Sequence, residues 1–228
     1  MNSFLHGMVR AVAETFELPG PIFEIGSYLV PGQEECGNLR SLFADKPYVG
    51  VDIRPGPGVD CVGNVEALPQ ADSSVGTVIA MNIFEHVQRF WLGFDEIYRV
   101  LRPDGALLVS CPFYFYIHNF PNDYWRFTPE AMSLLLERYP QKIIGWQGPK
   151  KKPLHVWALA FREECPTISG PQFEQYRKLI AAYCDQPMPR RRRLRYTLGR
   201  LLFGRGPFAP YLERNSWESE CRISAPTR

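Results

Sequence analysis

The sequence predicts an α/β protein: a doubly wound, mostly parallel seven-stranded sheet with an antiparallel edge strand and a helical C-terminal extension. Three observations carry this. Short β-rich runs alternate with helix-length stretches between residues 20 and 163. Turn residues bound most of those runs. The last two runs follow one another with no helix between them, as a hairpin does.

Taken in order, residues 1 to 18 place Phe4, Met8, Val12 and Phe16 at helical spacing, and Pro19-Gly20 ends that helix. The run Ile22 to Gly26 reads as the first strand, Tyr48 to Ile53 as the second and Val59 to Val62 as the third. Val75 to Asn82 reads as the fourth strand and Ala106 to Cys111 as the fifth. A helix is expected over Gly37 to Phe43. Another is expected over Phe94 to Leu101, ended by the Pro103-Asp104-Gly105 turn. Thr128 is a natural N-cap with Pro129 in the first turn, and the helix runs through Leu134 to Leu136. Lys142 to Trp146 and His155 to Phe161 are the closing hairpin. Residues 1–163 thus form one domain and 164–228 an extension. In the extension, Gln172 to Cys184 is helical, and residues 185–189 are a break. Leu194, Leu198, Leu201 and Leu202 follow at helical spacing after four successive arginines, and Glu218 to Arg228 are expected to be loosely ordered.

Composition narrows the classes. The chain has 228 residues, 45% hydrophobic and 22% charged, which excludes a mainly disordered or collagen-like chain. No apolar run reaches the ~18 residues of a membrane span. The net charge is +2, but residues 186–214 carry eight Arg and one acid, so that stretch is +7 and the remainder −5. A protein coating nucleic acid is disfavoured. A local basic patch is expected: Arg190 to Phe203 could lie on an anionic membrane, bind a partner protein or RNA, or dock on its own domain with its arginines solvated. The six cysteines lack zinc-ribbon or CxxC spacing. The first seventeen residues, with Glu14 and Glu17, do not read as a signal peptide. The expected location is cytoplasmic, and peripheral contact at the inner face of the membrane is left open.

Ligands of open α/β sheets bind beyond the carboxyl ends of the strands. Four segments fall there. Glu24-Ile25-Gly26-Ser27-Tyr28 ends the first strand with a glycine, which permits close backbone approach. Asp52 ends the second strand and is placed to accept from ribose hydroxyls. Gly63-Asn64-Val65 follows the third strand, where a short amide can meet a purine edge. Asn82 to Val87 follows the fourth.

These segments in this order resemble the class I S-adenosylmethionine-dependent methyltransferases, in the small branch known as methyltransferase type 11. GNVEALPQADSSVGTVIAMNIFEHV is similar to that family's third-to-fourth-strand passage, and RVLRPDGALLVSCPF to its fifth-strand passage. The resemblance covers about residues 20 to 162. It implies S-adenosyl-L-methionine as cofactor. Glu24, Gly26 and Ser27 would line its methionine end, with Asn82 beside them. Asp52 would hold the ribose, Asn64 the adenine amine and the Val65 backbone the ring. The sequence departs from the pattern in the loop SYLVPGQEECGN, in Asn64 for the commoner Asp, and in Gly76 for a frequent Asp. The resemblance implies that Glu85-His86 braces the helix after the fourth strand, with direct substrate chemistry as the alternative.

The aromatic segment Phe113 to Phe127 follows the fifth strand and would face the transferable methyl. Rings suit a sulfonium cation and exclude water. A hydroxyl acceptor must lose a proton. His118 is the base by residue type, and Asp123 would orient it or take the proton itself. Tyr114, Tyr116, Tyr124 and Arg126 are the candidate acceptor contacts. HNFPNDYWRFT resembles a subgroup often found in glycan biosynthesis, which implies a sugar hydroxyl or another small metabolite as acceptor. An N-methyltransferase or natural-product O-methyltransferase is the alternative among enzymes. A catalytically silent cofactor-binding or scaffold protein is the alternative outside them. No metal is expected, and the oligomeric state is left open.

Overall fold

The computed structural model describes residues 2–32, 34–118, 121–184, 190–204 and 215–224. The expected break at 185–189 lies outside them. Strands β1 (Ile22–Ile25), β2 (Tyr48–Asp52), β3 (Cys61–Val62), β4 (Val75–Met81), β5 (Leu101–Pro112), β6 (Gln141–Gln147), β7 (His155–Phe161) and β8 (Trp217–Ile223) form one sheet. Its order is β3-β2-β1-β4-β5-β7-β6-β8. Strands β1 to β5 are parallel, β7 runs antiparallel between β5 and β6, and β8 runs antiparallel to β6. The strand order reverses at β1, which pairs with β2 on one side and β4 on the other.

The sheet therefore holds eight strands among the described residues, one more than expected. The eighth comes from the segment expected to be loosely ordered. Without it β6 would be an edge with a free row of backbone groups. β8 pairs with β6 in continuous register from Gln147↔Trp217 to Gln141↔Ile223. Arg222 pins the strand to Glu130 and Lys150 pairs with Glu220. The β6–β7 hairpin is as expected, but β8 rather than the hairpin takes the sheet's outer edge.

The helices are α1 (Ser3–Thr15), α2 (Glu34–Gly37), α3 (Phe90–Val100), α4 (Pro129–Leu135), α5 (Gly170–Cys184) and α6 (Arg190–Phe203). Asn2 caps α1 by accepting from the Leu5 amide at 2.9 Å. Thr128 caps α4 by accepting from Ala131 at 3.0 Å, with Pro129 in the first turn. The single helix expected over residues 37–43 is instead the short α2 and a 3₁₀ turn, Arg40–Phe43. Between them Asn38 Oδ1 accepts from the Arg40 amide at 3.1 Å, a local bond that competes with helix continuation. Pro103-Asp104-Gly105, expected as a turn that ends the preceding helix, is instead part of β5. That strand starts at Leu101 opposite Val75, and its register shifts before Thr77↔Ala106. Gly76 has a packing reason: a Cβ there would meet the Pro19 carbonyl oxygen at 2.3 Å.

Burial on both faces explains the unbroken apolar runs. All seven residues of β4 are buried. Val78 and Ala80 join a core with Phe94, Ile97 and Val100 of α3 and Met132 of α4. Ile79 and Met81 join the opposite core with Leu5, Met8 and Val12 of α1 and Tyr176 and Ile180 of α5. Trp157 donates to Tyr176 Oη at 2.8 Å inside that second layer. α1 and α5 pack closely at Gly7, where a Cβ would lie 2.9 Å from the Tyr183 carbonyl oxygen. The extension thus supplies one covering helix and one strand to the same layered body.

Candidate active site

The carboxyl ends of β1, β2 and β4 and the segment after β5 bring the site residues together. Gly26 turns out of β1 with φ +79°, a conformation that favours glycine, and a Cβ there would meet Ile83 Cγ2 at 2.1 Å. Its amide and that of Ser27 donate to Val51 O at 2.8 and 3.2 Å, which holds the loop against β2. Asp52 then lies beside that loop. Its Oδ2 accepts from the Tyr28 amide at 3.3 Å and its Oδ1 from the Arg54 amide at 3.2 Å. The Arg54 Nε also lies 3.9 Å from Oδ1, and a carboxylate, with about four acceptor positions, can accept more than two amides. The Arg54 guanidinium stacks 4.0 Å over the Tyr28 ring and closes the outer side. This Tyr28–Arg54 cover is not signalled by either residue alone, because it needs the β1 and β2 loops side by side.

Ser27 is buried and its hydroxyl has no hydrogen-bond partner among the described residues. It is turned toward β2, where a Cβ on Gly50 would stand 2.6 Å from it. Glu24 is also buried and accepts from Tyr48 Oη at 2.8 Å. Burial pushes its pKa up to about 7, while the Tyr48 hydrogen bond and Arg40 pull the other way.

Asn64 is exposed, and its Oδ1 accepts from the Glu66 amide at 2.9 Å, closing the turn after β3. The Val65 side chain is core, so only its backbone is available to a ligand. Asn82 adopts φ +54° at the end of β4, which asparagine tolerates. The Ser110 hydroxyl on β5 donates to its Oδ1 at 2.8 Å and fixes it there. Ser110 is a supporting residue that the sequence did not single out.

The segment after β5 folds back onto the loop after β4. The amides of Tyr124 and Trp125 donate to Glu85 O at 2.7 and 3.3 Å, and Trp125 Nε1 donates to Val87 O at 3.0 Å. Phe90 packs edge-on against both Trp125 and Phe127. Phe127 is buried, while Phe115, Tyr116, Tyr124 and Trp125 are exposed. Lys152 lies 4.0 Å over the Tyr114 ring, so that ring is engaged from one side. Asp123 is the hub. Arg126 binds both of its oxygens, the His118 amide donates to Oδ2 at 2.9 Å, and His118 Nδ1 lies 3.1 Å away. The guanidinium holds its carboxyl well below the usual carboxylate range. Asp123 and Arg126 therefore form a pair that shapes the segment and orients His118.

Sequence reading did not foresee what lies beneath this segment. Glu85 is fully buried, and burial pushes its pKa up to about 8. His86 Nδ1 is 2.6 Å from Asn122 O, and the His86 and His118 rings meet edge to face at 4.8 Å. The adjacent Glu85-His86 was visible in the chain, but its contact with a residue 32 positions later was not.

Comparison with known proteins agrees with the layered architecture. Residues 36–109 match a family model described as a methyltransferase domain. A 65-residue stretch is 40% identical to a probable S-adenosylmethionine-dependent methyltransferase of Mycolicibacterium smegmatis, covering 28% of this chain and 23% of that protein. An uncharacterized methyltransferase of Mycobacterium ulcerans is 36% identical over 75 residues, 28% of this chain and 29% of its own. The matches thus span about a quarter of these relatives' length. Among solved structures, the chain superposes on the Burkholderia thailandensis 1,6-didemethyltoxoflavin-N1-methyltransferase, crystallised with 1,6-didemethyltoxoflavin and S-adenosylhomocysteine. The TM-score is 0.53 at 16% identity, over 71% of this chain and 79% of that one. It also superposes on a putative methyltransferase of Haloferax volcanii in complex with its Trm112 activator, with a TM-score of 0.51 at 15% identity, over 73% and 92%. The fold is the Rossmann-like fold of S-adenosylmethionine-dependent methyltransferases.

Proposed function

We propose that this chain is an S-adenosylmethionine-dependent methyltransferase that methylates a hydroxyl of a sugar, glycan precursor or other small metabolite. The observation that carries the cofactor side is the Asp52 carboxylate, held at the end of β2 beside the Gly26 loop by the Tyr28 and Arg54 amides. These residues fit an adenosyl group. Asp52 would take the ribose hydroxyls, and the Asn64 side chain and Val65 backbone the adenine. Gly26, Glu24, Ser27 and Asn82 would surround the methionine portion. The bound cofactor supplies an activated methyl group.

On the acceptor side, exposed Tyr116, Tyr124 and Trp125 offer ring faces to the apolar face of a sugar and hydroxyls or N–H to its edge. His118 would receive the acceptor's proton at Nε2, a role supported by its Nδ1 facing the Asp123 carboxylate. Asp123, paired with Arg126, orients that imidazole and does not take the proton. In-line alignment between the two sides supplies much of the rate. The test is His118→Ala in the full chain. S-adenosylhomocysteine affinity stays within about twofold and turnover falls about 100-fold or more. Equal turnover with a hydroxyl acceptor would remove His118 from the reaction. Turnover with amines alone would favour N-methylation.

We also read α6 as a surface for an anionic membrane, which suits a lipid-linked acceptor. Leu194, Leu198, Leu201 and Leu202 are 50–76% exposed on a helix with six arginines and no acid. Tyr196 and Arg192 on another side line a cavity with Phe4, Phe115 and Cys184. Removing residues 186–228 would also strip β8, so the cleaner test replaces Leu198 and Leu202 by Glu. Loss of co-sedimentation with phosphatidylglycerol vesicles supports the reading, and unchanged co-sedimentation rejects it.

A further inference from the structure

Beneath the aromatic segment, Glu85, His86 and His118 each bring one ligating atom within 4.8 Å of the others. Two features prepare this knot for a cation. The first is the state of the imidazoles. His86 Nδ1 faces the Asn122 carbonyl oxygen at 2.6 Å and His118 Nδ1 faces the Asp123 carboxylate at 3.1 Å. An oxygen acceptor at Nδ1 fixes the proton there and leaves a lone pair on Nε2, the usual arrangement behind a metal-bound histidine. The second is Glu85. Its Oε1 lies 3.8 Å from His86 Nε2, and its Oε2 is buried with no hydrogen-bond partner among the described residues. A buried carboxylate oxygen without a partner is costly, and a cation would supply one.

We propose that Glu85, His86 and His118 bind one divalent transition-metal ion of the zinc class. Two imidazole nitrogens and a carboxylate oxygen suit such an ion better than magnesium or calcium, and three ligands leave one position open. Bonds of about 2.0–2.2 Å would set the ligand atoms about 3.3 Å apart. The knot therefore closes by rotation of the two half-buried imidazoles. Asn122 and Asp123 become the outer partners that hold the rings. Arg126 is the positive charge nearby, and its pairing with Asp123 offsets it.

The consequence for catalysis rests on the function proposed above. Nε2 of His118 has one lone pair, so a bound ion and a proton taken from an acceptor exclude each other. The ion therefore silences His118 as a base, and metal occupancy acts as a brake on methyl transfer.

The experiment titrates the 228-residue chain with Zn²⁺ against a chromophoric chelator, with neither cofactor nor acceptor present. One equivalent is held. His86→Ala and His118→Ala each weaken its affinity at least ~10-fold, and Asp123→Asn weakens it 10–100-fold. Cys61→Ser, a control for the free thiols, leaves that equivalent in place. Circular dichroism verifies folding. Should His86→Ala not fold, the near-isosteric Glu85→Gln carries the comparison. No tightly held zinc, or the same affinity in parent and ligand variants, overturns the proposal. Calorimetry with S-adenosylhomocysteine on the same samples separates the two readings. Cofactor binding without zinc overturns only the metal site, and zinc binding without cofactor overturns only the transferase reading.

Discussion

The Tyr48 hydroxyl on β2 donates to the Glu24 carboxylate on β1 at 2.8 Å, between strands that pair Glu24 with Gly50. It is a polar contact in the middle of a covered sheet, directly below the Gly26 turn. Burial outweighs it and leaves Glu24 with a pKa of about 7, well above the 4.5 of an unperturbed glutamate.

That shift has a stability consequence with a definite sign. A carboxyl whose folded pKa is raised stabilises the fold fully below pH 4.5 and loses that contribution as pH rises through 7. Glu24→Gln keeps an acceptor for Tyr48 and removes the titration. Urea unfolding at pH 5 and pH 8 is expected to show the variant gaining on the parent at the higher pH, by at most about 3 kcal/mol. The same difference at both pH values would mean that Glu24 does not titrate in this range.

Gly26→Ala should be severely damaging. The left-handed conformation costs a non-glycine residue about 1–2 kcal/mol, and the new methyl group would collide with Ile83. Pairing it with Ile83→Ala relieves the collision but not the backbone strain. The double variant is therefore expected to melt above Gly26→Ala and below Ile83→Ala, and differential scanning fluorimetry reads the order.

Asp52→Ala removes the acceptor proposed for the ribose hydroxyls. Hydrogen bonds to a charged partner contribute about 1.5–3 kcal/mol each, so S-adenosylhomocysteine affinity should fall about 100-fold, and the melting temperature should fall as well because the Tyr28 and Arg54 amides lose their acceptor. Calorimetry measures the affinity. An unchanged affinity would place the adenosine elsewhere.

Deleting residues 215–228 exposes the β6 edge, including the partners of the Gln147↔Trp217 to Gln141↔Ile223 ladder. The truncated chain should melt lower and self-associate through the open edge. Size-exclusion chromatography with light scattering gives the readout. A monomer of unchanged stability would show that β8 is dispensable.

The alternation of strands and helices was legible because parallel strands covered on both faces must be apolar over consecutive residues, as β4 is. The caps at Thr128 and Pro129 were legible because capping is a local interaction. β8 was not. Its residues alternate only weakly, and what makes them a strand is the β6 edge some 70 residues earlier in the chain. Residues 103–105 were expected as a turn that ends a helix and instead lie inside β5, because the pairing of Leu101 with Val75 has no local signal.

The chain by itself determined its layers, the strand-end positions of Gly26, Asp52 and Asn82, and the ring-rich composition of the segment after β5. These follow from short-range patterning and from where an α/β sheet must turn. Tertiary structure alone decided that Asp123 is tied to Arg126 while orienting His118, that Tyr28 and Arg54 close over Asp52, and that His86 and His118 meet above Glu85. Each depends on distant segments brought within a few ångströms, and on burial that changes what a carboxyl or imidazole can do.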